Sequence, residues 1–422
     1  MTTSPSLPDP VMPGTAAYRR IGIALFLAGF STFALLYCAQ PLLPVFADYF
    51  QVSAAESSLA LSLSTLSLAG AILCAAVLSE GFGRREVIFV SMLASAVLTV
   101  VGAFAPGWTS LLATRALAGF LMGGMPAVAM TYLAEEIDPR GLGLATGLLV
   151  SGNAFGGMVG RVLTGVLAES FSWRVALAAL GLLGLAAAFG FVALLPPSRR
   201  FTPRPGFDPG YHIQAWLGHL RNPALLPLLA ISFLGMGSFV CLYNYAGFRL
   251  VAPPFALNQR QIGLIFTVYV FGITASSLAG ALADRLGRRH VLGGGLVTML
   301  AGIGLTLTAS LWAMIGGIVL ITAGFFAAHS VASSWIGRLA ATAKGHASSL
   351  YLLNYYLGAS FVGSAGGWFW GSQGWSGVAA FTSALLVLAL AAAIRVALVV
   401  PRQARGNAAT NSPANSAETS AL

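Results

Sequence analysis

Apolar residues come in long blocks along this chain, and polar positions collect in the gaps between them. A helix that crosses the hydrocarbon core of a membrane takes roughly 20 apolar residues. Twelve blocks meet that length: 20–46, 56–79, 86–105, 109–134, 142–168, 173–196, 223–248, 259–282, 290–309, 312–336, 346–370 and 375–399. Some gaps are tight turns, as at Ala105-Pro106-Gly107 and Ser372-Gln373-Gly374. One gap, 197–222, is long, Pro-rich and basic, with Arg199, Arg200, Arg204 and Arg221. Within it, His212 to Leu220 has the pattern of a short amphipathic helix on the membrane surface. The expected fold is an all-α membrane protein of twelve transmembrane helices in two pseudo-symmetric six-helix halves. The expected organisation is a disordered cytoplasmic tail (1–18), a first half (19–196), a cytoplasmic linker (197–222), a second half (223–402) and a disordered tail (403–422).

An internal repeat carries the division into halves. Ala76-Val77-Leu78-Ser79-Glu80-Gly81-Phe82-Gly83-Arg84-Arg85 aligns with Gly280-Ala281-Leu282-Ala283-Asp284-Arg285-Leu286-Gly287-Arg288-Arg289, 204 residues on. The turns Arg140-Gly141 and Lys344-Gly345 keep the same offset. Two parallel halves around a central site is the architecture of transporters that rock one half against the other.

Composition narrows the class. Hydrophobic residues make up 57% of the chain and charged residues 8%, against about 25% charged in a soluble domain. The net charge of +10 does not mark a nucleic-acid binder, because the basic residues sit in the gaps between blocks. With the first segment inside, 16 Arg and Lys fall on the cytoplasmic side and 3 outside, while Arg115, Arg161 and Arg395 fall within blocks. That asymmetry places both termini in the cytoplasm, and the expected location is the inner membrane of a bacterium. Residues 1–17 lack the charge pattern of a signal peptide. Cys38, Cys74 and Cys241 all lie in apolar blocks with no metal or disulfide spacing. No metal or other cofactor is expected. The expected partners are a small-molecule substrate, protons and the lipid bilayer, with the chain acting as a monomer.

Gly280 to Arg289 resembles the cytoplasmic loop motif of the major facilitator superfamily at every position. The first copy departs from it at Ala76, Glu80 and Gly81, so a looser lock is expected there. The stretches Ala323–Gly337 and Lys344–Gly358 resemble the YnfM-type branch, which is grouped with drug and sugar efflux antiporters and linked by name to acriflavine sensitivity. The resemblance implies proton-coupled export by alternating access, and it implies a transporter rather than an enzyme. It also implies a gate at the loop motif, built from Glu80, Gly83, Arg84, Arg85, Arg140, Asp284, Gly287, Arg288, Arg289 and Lys344. In the closed gate Glu80 is expected near Lys344 and Asp284 near Arg140.

Arg115-Ala116-Leu117-Ala118-Gly119 resembles the superfamily's span-four motif, an Arg with a Gly four residues on, which is associated with proton coupling. A buried Arg costs about 2.5–3.5 kcal/mol on insertion scales unless it finds a partner, and backbone carbonyls are the alternative to a functional role. In span five, Gly156, Gly160 and Gly165 match the drug-antiporter glycine pattern, but Arg161 stands in place of its Pro and Thr164 in place of a Gly. Arg161 therefore either faces the cavity or reaches the outer interface.

None of the twelve acidic residues falls at mid-membrane by these boundaries. A deep site without a carboxylate favours neutral or anionic substrates over lipophilic cations. The expected cavity residues are Phe33, Tyr37, Gln40, Asn153, Arg161, Tyr243, Asn244, Asn354 and Tyr355. His329 is the first candidate proton carrier because imidazole titrates near neutral pH. Ser333 is its alternative, purely structural partner. Arg115 is expected to act on His329 by repulsion, and Glu135 is the second proton candidate. Three functions remain open at this point: a proton-driven exporter of small lipophilic or aromatic compounds, a carrier of an organic anion or sugar, and a membrane enzyme or receptor. No nucleophile–base set or metal cluster favours the third.

Overall fold

The computed structural model of the chain describes residues 9–198, 200–201, 209–340 and 342–410. The side chains of residues 76–78, 80, 209 and 400–410 are outside that description, as are Arg199 and Arg204. Among the described residues the molecule is helical, with one isolated backbone bridge, Val11 to Ile137. In the first half, α1 (Ala16–Tyr37) leads through a tight turn (Gln40–Leu42) into α2 (Leu43–Phe50). There follow α3 (Ala54–Phe82), α4 (Arg84–Ala103), α5 (Trp108–Met122), α6 (Gly124–Glu136), α7 (Pro139–Ser170) and α8 (Trp173–Leu194). The linker carries α9 (Pro209–Leu220). The second half runs through α10 (Leu226–Val251), α11 (Gln259–Ile265), a turn (Phe266–Val268), α12 (Tyr269–Leu286), α13 (Arg288–Thr306), α14 (Leu311–Leu339) and α15 (Lys344–Thr410).

Helix is the conformation that satisfies every backbone donor within one segment, which is why apolar blocks of this length adopt it. Among the described residues, ten stretches are long and apolar enough to cross a membrane. One of them, Lys344–Val399, spans 56 residues. At 1.5 Å per residue it is about 84 Å long, more than twice a hydrocarbon core. It is two helices merged across Gly374, whose φ of 60° and ψ of −141° are not helical. That division makes eleven, and the expected twelfth, the glycine-rich α13 (Arg288–Thr306), is helical but is not among the stretches that meet the length and apolarity of a span.

Three expected spans are broken. Span one stops at Tyr37 and resumes past Gln40-Pro41, span four changes helix at Gly123, and span eight is interrupted by the Phe266–Val268 turn. A proline within an apolar block removes a helix donor, which accounts for the first break. Residues 9–18, expected in a disordered tail, are fastened down instead. Val11 N–H donates to Glu136 O at 2.8 Å, Thr15 caps α1, and the Tyr18 hydroxyl donates to Gly141 O at 2.6 Å. The helical backbone of α15 runs to Thr410, into the expected second tail.

The helix ends carrying Gly83 and Gly287 define one face of the molecule, here the motif face. Both glycines adopt the same left-handed backbone, φ 93° and 87°, which a residue with Cβ rarely takes. At the opposite, far face the halves are joined. Gln259 N–H donates to Glu169 Oε2 at 3.0 Å, and Arg260 Nη2 donates to Ser170 Oγ at 3.0 Å. At mid-depth the Ser360 hydroxyl donates to Ser62 O at 2.7 Å. Within the first half, α7 lies against α1 through Gly152, Gly156 and Gly160; a Cβ on Gly160 would stand 2.6 Å from Ala34 O. Toward the motif face a cavity of about 360 Å³ separates the halves, lined from α3 and α6 on one side and α15 on the other, with α9 at its edge.

Candidate functional site

The broken span one places Gln40 at the centre of the molecule. Its amide Nε2 donates to Asn244 Oδ1 at 2.8 Å across the two halves. Gln40 Oε1 accepts from Arg161 Nε at 2.6 Å, and Arg161 Nη1 donates to Gly157 O at 2.7 Å. Asn244 continues the line to Gly363 O at 3.5 Å. Gln40 and Asn244 stand 204 residues apart, the offset of the sequence repeat.

Arg161 is 1% exposed, and among the described residues no carboxylate lies within ion-pair distance of it. Ring faces surround it: Tyr37 at 4.1 Å, Tyr269 at 4.6 Å, Phe266 at 5.6 Å and Tyr243 at 5.9 Å. Three of those four rings belong to the second half. A desolvated cation over several rings gains roughly 0.5–2 kcal/mol per good contact, so the box holds the guanidinium without neutralising it. The rings of Tyr355 and Tyr356 stand 5.1 Å apart, and those of Tyr243 and Tyr269 5.5 Å apart. Tyr243 shares a hydrogen bond with Thr322 at 2.5 Å. Phe33 packs at 6.0 Å from Tyr37, at the edge of the group. The resulting chemistry is a positive centre with phenol hydroxyls nearby and an apolar, aromatic wall.

His329 lies beside this group. Its Nδ1 is 2.9 Å from the Tyr351 hydroxyl, and its ring stands 4.9 Å from Tyr355 and 5.7 Å from Phe325. Ser333, its expected structural partner, donates to Ser330 O instead. The other histidines, His212, His219, His290 and His346, lie toward the motif face.

Arg115 is placed differently. Its Nε donates to Ala60 O at 3.1 Å, Nη1 to Leu35 O at 3.0 Å and Nη2 to Leu36 O at 2.7 Å. Its hydrogen bonds to oxygen thus go to backbone carbonyls of α1 and α3, and the structure does not bring it to His329. Leu35 and Leu36 belong to the last turn of α1, whose carbonyls lack helical partners. Glu135 stands at the motif face, where Oε1 accepts from Arg84 Nη2 at 2.9 Å. Asn153 lies in the α1–α7 contact, its Oδ1 buried against Gly29 without a hydrogen bond. Asn354 donates to Leu350 O of its own helix at 2.9 Å.

The gate residues divide by copy. In the first, Arg84 bonds Ser79 and Glu135 and lies over Phe201, and Arg85 donates to Val192 O at 2.7 Å. The Glu80 side chain lies outside the described residues. In the second, Asp284 is 73% exposed and meets Arg288 of its own turn at 3.6 Å. The expected approach of Asp284 to Arg140 is not made in this structure. Arg140, Arg289 and Lys344 are exposed. In this structure the Arg pair of the first copy is therefore fastened within its own half, whereas Asp284 and Arg289 of the second are exposed.

Four residues of the central group escaped the sequence reading: Phe266, Tyr269, Tyr351 and Tyr356. The spacing of Tyr351 and Tyr355, four apart on one helix face, was a usable signal. The position of Tyr269 depends on the break in span eight and left no such mark.

The comparisons with known proteins agree with this architecture. The Major Facilitator Superfamily profile matches residues 25–252 and 234–420. The chain is 44% identical over 383 residues to the inner membrane transport protein YnfM of Escherichia coli K12, covering 91% of this chain and 92% of that one. It is 43% identical over 380 residues to the MFS-type transporter YybF of Bacillus subtilis, covering 90% and 94%. Among solved structures, a bacterial homologue of the human lysosomal transporter Spinster, inward-facing and occupied, superposes with a TM-score of 0.74 at 16% identity, over 91% of this chain and 97% of that one. The chain belongs to the major facilitator superfamily and is a multi-pass membrane transporter of the YnfM type, not an enzyme.

Proposed function

We propose that this transporter exports small organic acids with an aromatic or lipophilic body, coupled to proton entry, with the motif face in the cytoplasm. The observation that carries the reading is Arg161, a deeply buried cation held by ring faces, the Gln40 amide and the Gly157 carbonyl, with no carboxylate partner among the described residues. A substrate carboxylate is the acceptor such a group lacks, and the surrounding phenols offer further donors. A lipophilic cation would meet repulsion there. A membrane potential negative inside drives an anion outward by about 2.3 kcal/mol per 100 mV and a proton inward by the same amount. His329, hydrogen-bonded to Tyr351 at the edge of the group, is the proton carrier of this reading. The stack of Phe239 on Phe325 at 4.1 Å favours a second reading, export of neutral aromatic compounds, in which Arg161 only clasps the two halves.

The test is a transport screen in proteoliposomes across cationic, neutral and anionic aromatic compounds, with a pH dye inside. Aromatic carboxylates are expected to raise a pH transient that Arg161→Ala abolishes. Normal transport of neutral compounds by Arg161→Ala would move the reading to the second. Transport of cations alone would reject both. His329→Ala is expected to lose pH-driven transport while substrate exchange persists. A normal pH dependence in that variant would send the proton elsewhere, with Glu135→Gln as the next variant.

A further inference from the structure

The linker helix α9 presents three sides, and protein and water account for two. At 3.6 residues per turn, His212, Trp216 and His219 share one side. That side is fastened to the start of α15. His212 Nδ1 lies 2.9 Å from His346 Nε2, Trp216 Nε1 donates to Ser349 Oγ at 3.2 Å, and His219 Nε2 meets Ala343 O at 3.2 Å. Gln214, Gly218 and Arg221 share a second, polar side and are exposed. Ile213, Leu217 and Leu220 share the third, about a quarter-turn from the first, and are 51%, 45% and 41% exposed.

The depth of α9 is set by its anchor. Ala343 and His346 stand at the beginning of a membrane-spanning stretch, so the helix lies level with the ends of the spans. Beyond the end of α9, Leu226 is exposed at the start of the next span. Arg221 stands at that joint, at the border of the polar and apolar sides. A protein side, an apolar side and a polar side in rotation make the cross-section of a helix half sunk in a membrane interface.

The geometry points to α9 as an interfacial strap. Ile213, Leu217 and Leu220 lie in the phospholipid leaflet on the motif side, and Arg221 sits at headgroup level against anionic lipid. The strap ties that leaflet to the first turns of α15, which line the 360 Å³ cavity between the halves. This inference is independent of the substrate.

The full chain tests it. Cys74→Ser removes the exposed native thiol, and Cys38 and Cys241 are buried. An environment-sensitive fluorophore is then attached at Ile213→Cys, Leu217→Cys or Gln214→Cys in vesicles of phosphatidylcholine and phosphatidylglycerol. Labels at 213 and 217 should emit at shorter wavelength and lose emission to lipids bearing an acyl-chain nitroxide. The label at 214 should lose emission to aqueous iodide. Leaving out phosphatidylglycerol should shift the 217 emission toward that of 214. Quenching of 213 and 217 by iodide but not by nitroxide lipid would overturn the strap. Shielding from both quenchers would overturn it too, because a protein surface would then be the occupant. Emission indifferent to phosphatidylglycerol would remove the anionic assignment at Arg221. Two label sites on the apolar side keep the test intact if one variant fails to fold.

Discussion

Arg115 and Arg161 are the same side chain in the same half, at 2% and 1% exposure, and the protein accommodates them in different ways. Arg115 faces oxygen, with three backbone carbonyls accepting its protons. Those carbonyls belong to helices of its own half and stay with it whatever the other half does. Arg161 has two oxygen acceptors, Gln40 Oε1 and Gly157 O, and otherwise faces rings, three of the four supplied from the other half. Burial alone therefore does not mark a working cation in a membrane protein. The distinction lies in whether its donors are saturated by acceptors that cannot leave.

The largest expected effect falls on the saturated residue. Arg115→Ala removes a donor from three buried carbonyls, of which Leu35 O keeps the Cys38 thiol and Ala60 O the Ser64 hydroxyl, and should cost ~2–4 kcal/mol of stability. Thermal unfolding in detergent reads this directly. Arg161→Ala should cost less, about 1–2 kcal/mol for two hydrogen bonds and the ring contacts, while abolishing transport of organic acids. A larger drop in Tm for Arg161→Ala than for Arg115→Ala would erase the contrast. Arg161→Lys sharpens it, since an ammonium keeps the charge but loses the planar fork and stacking. A raised KM with stability close to that of the alanine variant is expected.

Smaller effects follow at the motif face. Glu135→Gln weakens the partly buried pair with Arg84 and should cost about 1 kcal/mol in the same unfolding assay. Asp284→Asn should change stability by no more than ~0.5 kcal/mol, because its pair with Arg288 is exposed and lies within one turn. A larger loss for Asp284→Asn than for Glu135→Gln would mean that the second copy of the motif is fastened after all.

Much of the fold was legible in the chain. The apolar blocks, the 204-residue repeat and the Arg-Arg turns required only composition and spacing. Arg161, Gln40 and Asn244 were each readable as polar residues in apolar blocks, and they came together. What escaped depended on contacts between distant segments. The ion pair of Glu135 with Arg84 was not visible in the chain, because its partner lies 51 residues away. The first motif copy read as the looser one because its departures from the family pattern were visible, whereas the fastening by Ser79 and Glu135 was not. Tyr269 reached the guanidinium only because span eight breaks at Phe266–Val268.

The hydrogen bond between Gln40 and Asn244 has a consequence for ancestry. Residues at equal positions in two repeats meet only where the axis relating the repeats passes, as in the self-contact of a symmetric dimer. In a duplicated gene whose halves were still identical, the residue at that point faced its own copy. A carboxylate or an ammonium would repel itself there, and an apolar side chain would leave the centre mute. An amide carries both a donor and an acceptor and can pair with its twin. Once the copies drifted apart, one amide could lengthen to glutamine and turn its carbonyl toward Arg161 without losing its twin. On this account, a contact set by the symmetry of the repeat now joins two different amides, only one of which also holds Arg161.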